Sequence, residues 1–341
     1  MVSGALVQKC LSFLSCINND NNNYLRQSAT TQNGSALVAG GNVLLSAGGN
    51  VLLSAGGNAN LTASSVTAGQ DIQIAAQNVT VQAGVNSSSN EYRTGGKDYL
   101  NHTASSTQSL TGGSLSAGNN LAIQATGIPT QAGTGDITLN AAQLAAQNGQ
   151  VALQAAHDIT LGTVNTTQSN YSHTYTQSSG LFSSRSTTDI QRNSATTAHG
   201  TTVSGNSVAM VAGNNLTVTG SSVTGAGNTP GSSQVSMIAG GNLIINAASN
   251  SESLNSTSSE SGGLFGGESN NTANQSQTTA QRAQIHGSSI QMQSGGDTVL
   301  QAAEIRGQNI SVNAGTIDGQ VVNPNAHIVL DDKGDATLYI C

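Results

Sequence analysis

An octapeptide that occurs twice in succession is the feature that most constrains the fold of this chain. The sequence AGGNVLLS occupies residues 39–46 and again residues 47–54, and a degenerate third copy follows. Each copy has a small residue, a glycine-rich turn, an Asn and then apolar residues at alternate positions. Side chains of an extended strand alternate between two faces, so each copy predicts a corner followed by a short β-strand with one apolar face.

The same pattern recurs almost to the end of the chain, and its spacing predicts a solenoid. Equivalent strand-like segments are 27 residues apart at 208 and 235 and at 216 and 243, 20 apart at 290 and 310, and 22 apart at 137 and 159. A unit of this length holds two or three five-residue strands with their corners. Units of 20–45 residues are typical of solenoid proteins, in which stacked coils bury a continuous apolar column.

Two architectures fit this unit: antiparallel hairpins and a parallel β-helix. The fifth strand position favours the β-helix, because it nearly always holds a small residue, which suits an inward site at a tight corner. A hairpin has no comparable requirement. These small residues are Ala76, Ala83, Ala125, Ala141, Ala155, Ala247, Ala302 and Ala314. The interior column is predicted to contain Val43, Leu45, Leu121, Ile123, Ile137, Leu139, Leu216, Val218, Leu243, Ile245, Ile310 and Val312.

Composition divides the chain into three predicted parts. Residues 1–34 lack the repeat, residues 35–315 form the β-helix domain, and residues 316–341 are interpreted as a cap or a truncated end. Three polar interruptions of the repeat, at about 85–113, 165–202 and 249–284, are predicted to be projecting β-hairpins or disordered inserts.

Charge and motifs argue against several function classes. Charged residues make up 7 %, Trp is absent, and nine Lys and Arg against a net charge of −7 leave no basic patch for nucleic acid. No nucleophile, phosphate-binding or metal-ligand motif occurs, so we expect no catalytic residue, no cofactor and no metal site. His199 and His286 follow the second and third inserts within similar sequences, which predicts a shared packing role.

The corners carry the best-defined polar set. Stacked in register, these residues are predicted to form side-chain ladders that hold the coils together. A calcium site is the alternative, but the calcium β-roll motif is absent and Asn outnumbers Asp. The set consists of Asn42, Asn50, Asn58, Asp71, Asn78, Asn120, Asp136, Asp158, Asn215, Asn242, Asp297 and Asn309.

Two apolar pairs are the candidate contact residues. Leu181–Phe182 and Leu264–Phe265 lie in the second and third inserts, in the similar sequences SGLFSS and GGLFGG. At the tip of a polar hairpin such a pair would anchor a partner or a membrane surface. The alternative is that each pair packs against the flank of the coils.

Together, the tandem octapeptide, the AGNNL and AGGNL corners and the GLF inserts resemble the haemagglutinin repeats of filamentous-haemagglutinin-like exoproteins, which are exported by two-partner secretion. The inserts are most similar to the second repeat region of contact-dependent growth inhibition effectors. The resemblance covers roughly residues 35–315. It implies a right-handed parallel β-helix, an outer-membrane transporter as partner, and a location outside the cell or on the bacterial outer-membrane surface.

The resemblance also implies adhesion, haemagglutination, biofilm formation or toxin delivery. The family's amino-terminal secretion domain and carboxy-terminal toxin region are not recognisable, so the chain is expected to be a fragment or a truncated product. The leading hypothesis is a non-enzymatic adhesin or toxin-delivery stalk that contacts a cell-surface receptor or membrane. The alternative is a β-helical polysaccharide-degrading enzyme, which needs clustered carboxylates and usually aromatic platforms.

Overall fold

The computed structural model describes residues 24–31, 44–181, 183–227, 233–263, 266–314, 327–330 and 336–340. These residues are all-β, with short strands joined by tight turns. In chain order the strands are β1 (Tyr24–Thr30), β2 (Leu44–Ala47), β3 (Val51–Ser54), β4 (Ala59–Thr62), β5 (Ser65–Ala68), β6 (Ile72–Ala76), β7 (Val79–Gln82), β8 (Gly84–Gly95), β9 (Tyr99–Thr111), β10 (Ser114–Ala117), β11 (Leu121–Ala125), β12 (Ile137–Asn140), β13 (Gln143–Ala146), β14 (Gln150–Ala155), β15 (Ile159–Ser179), β16 (Ser184–Gly200), β17 (Thr202–Gly205), β18 (Ser207–Ala212), β19 (Leu216–Thr219), β20 (Ser222–Gly225), β21 (Gln234–Ala239), β22 (Leu243–Asn246), β23 (Ala248–Gly262), β24 (Glu268–Gln281), β25 (Ala283–His286), β26 (Ser289–Ser294), β27 (Thr298–Gln301), β28 (Ala303–Gly307), β29 (Asn309–Ala314), β30 (His327–Leu330) and β31 (Ala336–Ile340).

Three parallel sheets form the three sides of a β-helix, which confirms the predicted fold class. The first side contains β2, β5, β10, β13, β17, β20, β25 and β28, the second β3, β6, β11, β14, β18, β21, β26 and β29, and the third β4, β7, β12, the start of β15, β19, β22 and β27. The described residues therefore form eight stacked coils, the last of them with two sides. β31 adds to the first side antiparallel to β28, and β30 pairs with β31.

The sequence repeats predicted the register of the coils. Val208 pairs with Val235 and Leu216 with Leu243, which are 27 residues apart. The spacings of 20 and 22 residues are likewise the registers between β26 and β29 and between β12 and β15. The tandem octapeptides do not stack on each other, because β2 and β3 lie on adjacent sides of one coil.

Alternate residues of each strand point inward and form one apolar column. Eight of the predicted column residues are no more than 1 % exposed, namely Leu121, Ile123, Ile137, Leu139, Leu216, Val218, Leu243 and Ile245. Val43 and the side chain of Leu45 lie outside the description. Ile310 is half-buried and Val312 is 44 % exposed, although they pair in register with the buried column residues Ile290 and Met292. Both belong to β29 in the last described coil, where β26 is the only parallel neighbour among the described strands.

Where no hairpin intervenes, the corner between the third and first sides is turned by a single left-handed residue. Ala63, Ala141 and Ala302 have φ of 51°, 48° and 48°, and Gly220 has φ of 52°. This conformation costs an alanine about 1–2 kcal/mol, because its Cβ approaches the following carbonyl oxygen. Ala63 and Ala141 bury their methyl groups, so packing partly offsets the strain. Of the other small residues predicted at inward corner sites, Ala76, Ala83, Ala125 and Ala155 are buried, and Ala247, Ala302 and Ala314 are half-buried.

In the structure the three inserts are antiparallel hairpins, β8–β9, β15–β16 and β23–β24, and all leave the column after its third side. They pair edge to edge, with β1 at one edge, in the order β1-β8-β9-β15-β16-β23-β24. We call this seven-stranded antiparallel unit the hairpin sheet. β1 pairs with β8 as β16 pairs with β23, so β1 takes the place of the second strand of a hairpin. Its sequence YLRQSAT resembles IQRNSAT of β16.

Candidate functional site

The tip of the second hairpin carries a fully displayed leucine. Leu181 lies in the turn between β15 and β16 and is 91 % exposed. The turn is closed by the N–H of Gly180, which donates to the carbonyl oxygen of Ser183 at 2.6 Å. Leu181 therefore does not pack against the flank of the coils. Phe182, Leu264 and Phe265 lie outside the described residues.

A row of seven serines crosses the middle of the hairpin sheet, one from each strand. Cross-strand pairing places them side by side in the order Ser28, Ser89, Ser106, Ser169, Ser194, Ser253 and Ser276. Hydroxyl oxygens of adjacent members lie 2.6 Å apart for Ser28 and Ser89 and 2.8 Å apart for Ser194 and Ser253. The row thus presents one hydroxyl from each strand, and in these two pairs the hydroxyl groups are hydrogen-bonded to each other.

Beside this row, one face of the sheet carries a cluster of four rings, which we call the aromatic cluster. It consists of Tyr24, His102, Tyr171 and His173, from β1, β9 and β15. Successive ring centroids are 6.3, 5.1 and 6.5 Å apart, in edge-to-face geometry. Arg26 lies 4.7 Å from the ring of Tyr24 and Arg192 lies 5.2 Å from that of Tyr171, which is close enough for cation–π attraction.

A single carboxylate ties the cluster together. The Tyr24 hydroxyl donates to Glu91 Oε1 at 2.7 Å, and His102 Nε2 lies 2.8 Å from the same oxygen. These hydrogen bonds, the tyrosine first, lower the pKa of Glu91, and the same bond raises the pKa of Tyr24. Burial, followed by repulsion from His102 and nearby arginines, lowers the pKa of His173.

The aromatic cluster is not predictable from any motif in the sequence. Its members come from three strands that come together only in the tertiary structure, with β8 between β1 and β9, and no motif links them. The sequence does contain a signal for the neighbouring serine row. Aligning the hairpin strands with one another places Ser28, Ser106, Ser194 and Ser276 at equivalent positions.

The predicted corner residues fall into two ladders. The first ladder follows the first side in successive coils and contains Asn50, Asp71 and Asn120. Asn309 follows the same side, but the four intervening coils carry Gln150, Ser207, Gln234 and Ser289 at this position. The second ladder follows the second side and contains Asn58, Asn78, Asp136, Asp158, Asn215, Asn242 and Asp297. Asn42 lies outside the described residues.

Contacts within each ladder join a side chain mainly to the backbone of the next coil. In the second ladder the Oδ1 of Asp158 accepts a hydrogen bond from the backbone N–H of Asn215 at 2.8 Å. The Oδ1 of Asn215 in turn accepts from the backbone N–H of Asn242 at 3.0 Å, and the Oδ1 of Asn242 accepts from the backbone N–H of Asp297 at 2.9 Å. In the first ladder the Oδ1 of Asp71 accepts from the N–H of Asn120 at 2.9 Å. A direct amide pair joins Asn78 to Asn58 at 2.9 Å.

One position of the second ladder brings together three groups able to bind a metal. Asp136, His157 and Asp158 place ligand atoms within 4.8 Å of one another. His157 Nδ1 lies 2.9 Å from Asp136 Oδ1 and 3.4 Å from Asp158 Oδ2. The Oδ1 atoms of both aspartates already accept backbone N–H groups of the next coil, so this geometry primarily joins neighbouring corners. The 22-residue register explains why residues so far apart meet.

The predicted equivalence of His199 and His286 is wrong. His199 ends a hairpin strand, and its Nε2 lies 2.8 Å from the hydroxyl of Thr166. His286 instead ends β25 on the first side of the column. Because β20 pairs Ser222 with both Thr202 and Gln284, β25 is the counterpart of β17 and not of β16.

Comparison with known proteins settles the family. Residues 18–97, 92–260 and 180–318 match the family model described as hemagglutinin repeat. The chain belongs to the hemagglutinin repeat family. This confirms the resemblance carried by the tandem octapeptide and the corner sequences.

A curated relative of this hemagglutinin repeat chain is the tRNA nuclease CdiA of Escherichia coli (strain STEC_O31). It is 38 % identical over 82 residues, which are 24 % of this chain and 2 % of that protein. This chain therefore matches only a small fraction of the relative's length. No solved structure matches. Within the described residues no helix is long and apolar enough to span a membrane.

Proposed function

We propose that this chain is a non-enzymatic stalk segment of an exported adhesin or toxin-delivery protein, and that its hairpin sheet contacts a cell surface. The observation that carries the proposal is the hairpin sheet itself. It adds seven strands beside the column and holds Leu181 out in solvent at 91 % exposure. A plain stalk needs only coils, so hairpins that add nothing to the column favour a contact role.

Family membership and the similarity to CdiA support the setting of this proposal. We expect export through an outer-membrane two-partner transporter, and a position outside the cell or on the bacterial outer-membrane surface. The expected partner is a receptor or the membrane of a target cell. The fold suits such export, because each coil of a solenoid contacts only its neighbours and the column grows coil by coil.

The enzymatic alternative is less favoured by the chemistry of the corners. A glycoside hydrolase needs two carboxylates free to act on a glycosidic bond. Asp136 and Asp158 are neighbours, but each already accepts backbone N–H groups and faces His157. Incubation with polysaccharides tests this point. Turnover that is abolished by Asp136→Asn or Asp158→Asn would contradict a purely non-enzymatic role.

The contact role is tested by replacing Leu181, Phe182, Leu264 and Phe265 together by Ser. We expect the β-sheet circular dichroism to stay unchanged, because the column is untouched, and association with target cells or liposomes to fall. Leu254→Ser is the matched control, since Leu254 is an exposed leucine of the same sheet away from the tips. Unchanged association of the folded quadruple variant would remove the contact role from the tips.

A further inference from the structure

The face of the hairpin sheet that carries the aromatic cluster also contains a depression of about 570 Å³. It arises from the order of side chains in one cross-strand row. Ala104 lies between Glu91 and Tyr171, and Arg192 and Asn255 follow Tyr171 on the next two strands. A methyl group between larger side chains leaves a gap. The adjacent row of serines, which are also small, extends this gap across five strands.

The surface of the depression is mostly apolar, and it is interrupted by groups that form hydrogen bonds without a large surplus of charge. Its walls offer the carboxylate of Glu91, the guanidinium of Arg192 and the amide of Asn255, and its floor offers serine hydroxyls. The half-buried ring of Tyr171, against which the Arg192 guanidinium lies at 5.2 Å, adds an aromatic surface. Tyr24 and His102 hold Glu91 in position, so this wall is preorganised.

We infer that this depression binds an oligosaccharide. Sugars present hydroxyl groups that pair with hydroxyls, amides and carboxylates, and C–H faces that pack on an aromatic ring. The serine row supplies one such partner from each strand, and the strands are about 4.8 Å apart, comparable to the length of one pyranose ring, so a chain of sugars can lie across the strands. The open, elongated shape suits a polymer.

Other macromolecules fit this site less well. A peptide that binds by strand addition needs a free sheet edge, whereas the depression lies in the middle of the sheet, where the backbone is already paired. A nucleic acid needs a surplus of positive charge, whereas the chain has a net charge of −7.

The test starts from the whole chain on a glycan array, followed by calorimetric titration of the sugars it retains. Ala104→Leu fills the depression and should weaken binding by about tenfold or more, as should Tyr171→Ala. Thr103→Leu is the matched control, because Thr103 lies on the same strand with its side chain on the opposite face. This control should bind as the native chain does, and all variants should keep the native circular dichroism.

Two results would overturn the inference. One is that the native chain retains no glycan on the array. The other is that Ala104→Leu and Thr103→Leu bind equally well. The inference is independent of the proposed contact role of the tips, because the depression is centred on residues 169–171 and 192–194, away from Leu181. The quadruple tip variant should therefore keep its affinity for the glycan.

Discussion

Glycine at the corners is required by the close approach of successive coils. At the corner between the second and third sides, the N–H of Gly240 donates to the carbonyl oxygen of Ala212 at 2.9 Å. A Cβ on Gly240 would collide with the carbonyl oxygen of Gly213, and a Cβ on Gly213 with that of Ala156. Gly56 occupies the equivalent position in the first described coil, where a Cβ would meet nothing within 4 Å. Stacking, more than turn geometry, therefore explains this part of the repeat.

Neighbouring residues at one corner are expected to differ sharply in their effect on stability. Leu216 is fully buried, so Leu216→Asp places an unpaired charge between coils and should lower the free energy of unfolding by about 3–5 kcal/mol. Asn215→Ala removes the acceptor for the N–H of Asn242, a group open to water, and should cost ~1 kcal/mol. Urea midpoints of the two variants measure the difference. Equal shifts would contradict the inward position of Leu216.

At the scale of elements, the spacing of the hairpins along the column matches the rise of the coils. One hairpin follows every second coil, after β7, within β15 and after β22. A hairpin adds two strands to its sheet, and two coils add two strands to each side of the column. Both spacings are about 4.8 Å, so the hairpin sheet and the column lengthen at the same rate. Hairpins at every coil would be crowded, and hairpins at every third coil would leave gaps.

Removing one coil should break this match. Deletion of residues 202–221 removes the coil of β17, β18 and β19 and joins Thr201 to Ser222, which is the register partner of Thr202. The remaining coils should still stack in register, but β16 and β23 would then be displaced from their pairing position by one strand spacing. Hydrogen exchange should show faster exchange along their pairing, residues 185–196 with 251–262.

The matched control for this deletion removes residues 202–283, which takes out two coils together with the third hairpin. It joins Thr201 to Gln284, the other register partner of Ser222. Protection of the pairing between β9 and β15 should be native in both variants. Native protection of β16 and β23 after the one-coil deletion would contradict the spacing argument.

At the scale of the whole molecule, the apolar column couples the coils, so a buried polar group without a hydrogen bond in one coil changes the free energy of unfolding of the whole column. His286 Nε2 is buried without a hydrogen-bond partner among the described residues, and its nearest carboxylate oxygen, on Glu304, is 3.8 Å away. Burial, which disfavours the charged imidazole, lowers the pKa of His286, and Glu304 opposes this only in part.

The sign of the resulting pH dependence follows from proton linkage. Because the folded protein binds this proton less tightly than the unfolded chain does, stability is fully present above the ordinary histidine pKa of about 6.5 and falls as the pH drops below it. The urea midpoint of the native chain should be lower at about pH 5.5 than at about pH 7.5. His286→Gln should reduce this difference. An equal pH dependence in both proteins would contradict the role of His286.

The sequence by itself determined the column. Alternating apolar residues specified which side chains point inward, as for Leu121 and Ile123, and the repeat spacing specified the register, as for Val208 and Val235. Both follow from local rules, because the strand period is two and equivalent residues of a solenoid stack. The tertiary structure decided the hairpin sheet, the aromatic cluster and the division of corner residues into two ladders. The inserts are rich in Ser, Thr and Asn on both faces and carry no apolar period. Their pairing depends on how far the column rises between hairpins, and only the assembled coils fix that distance.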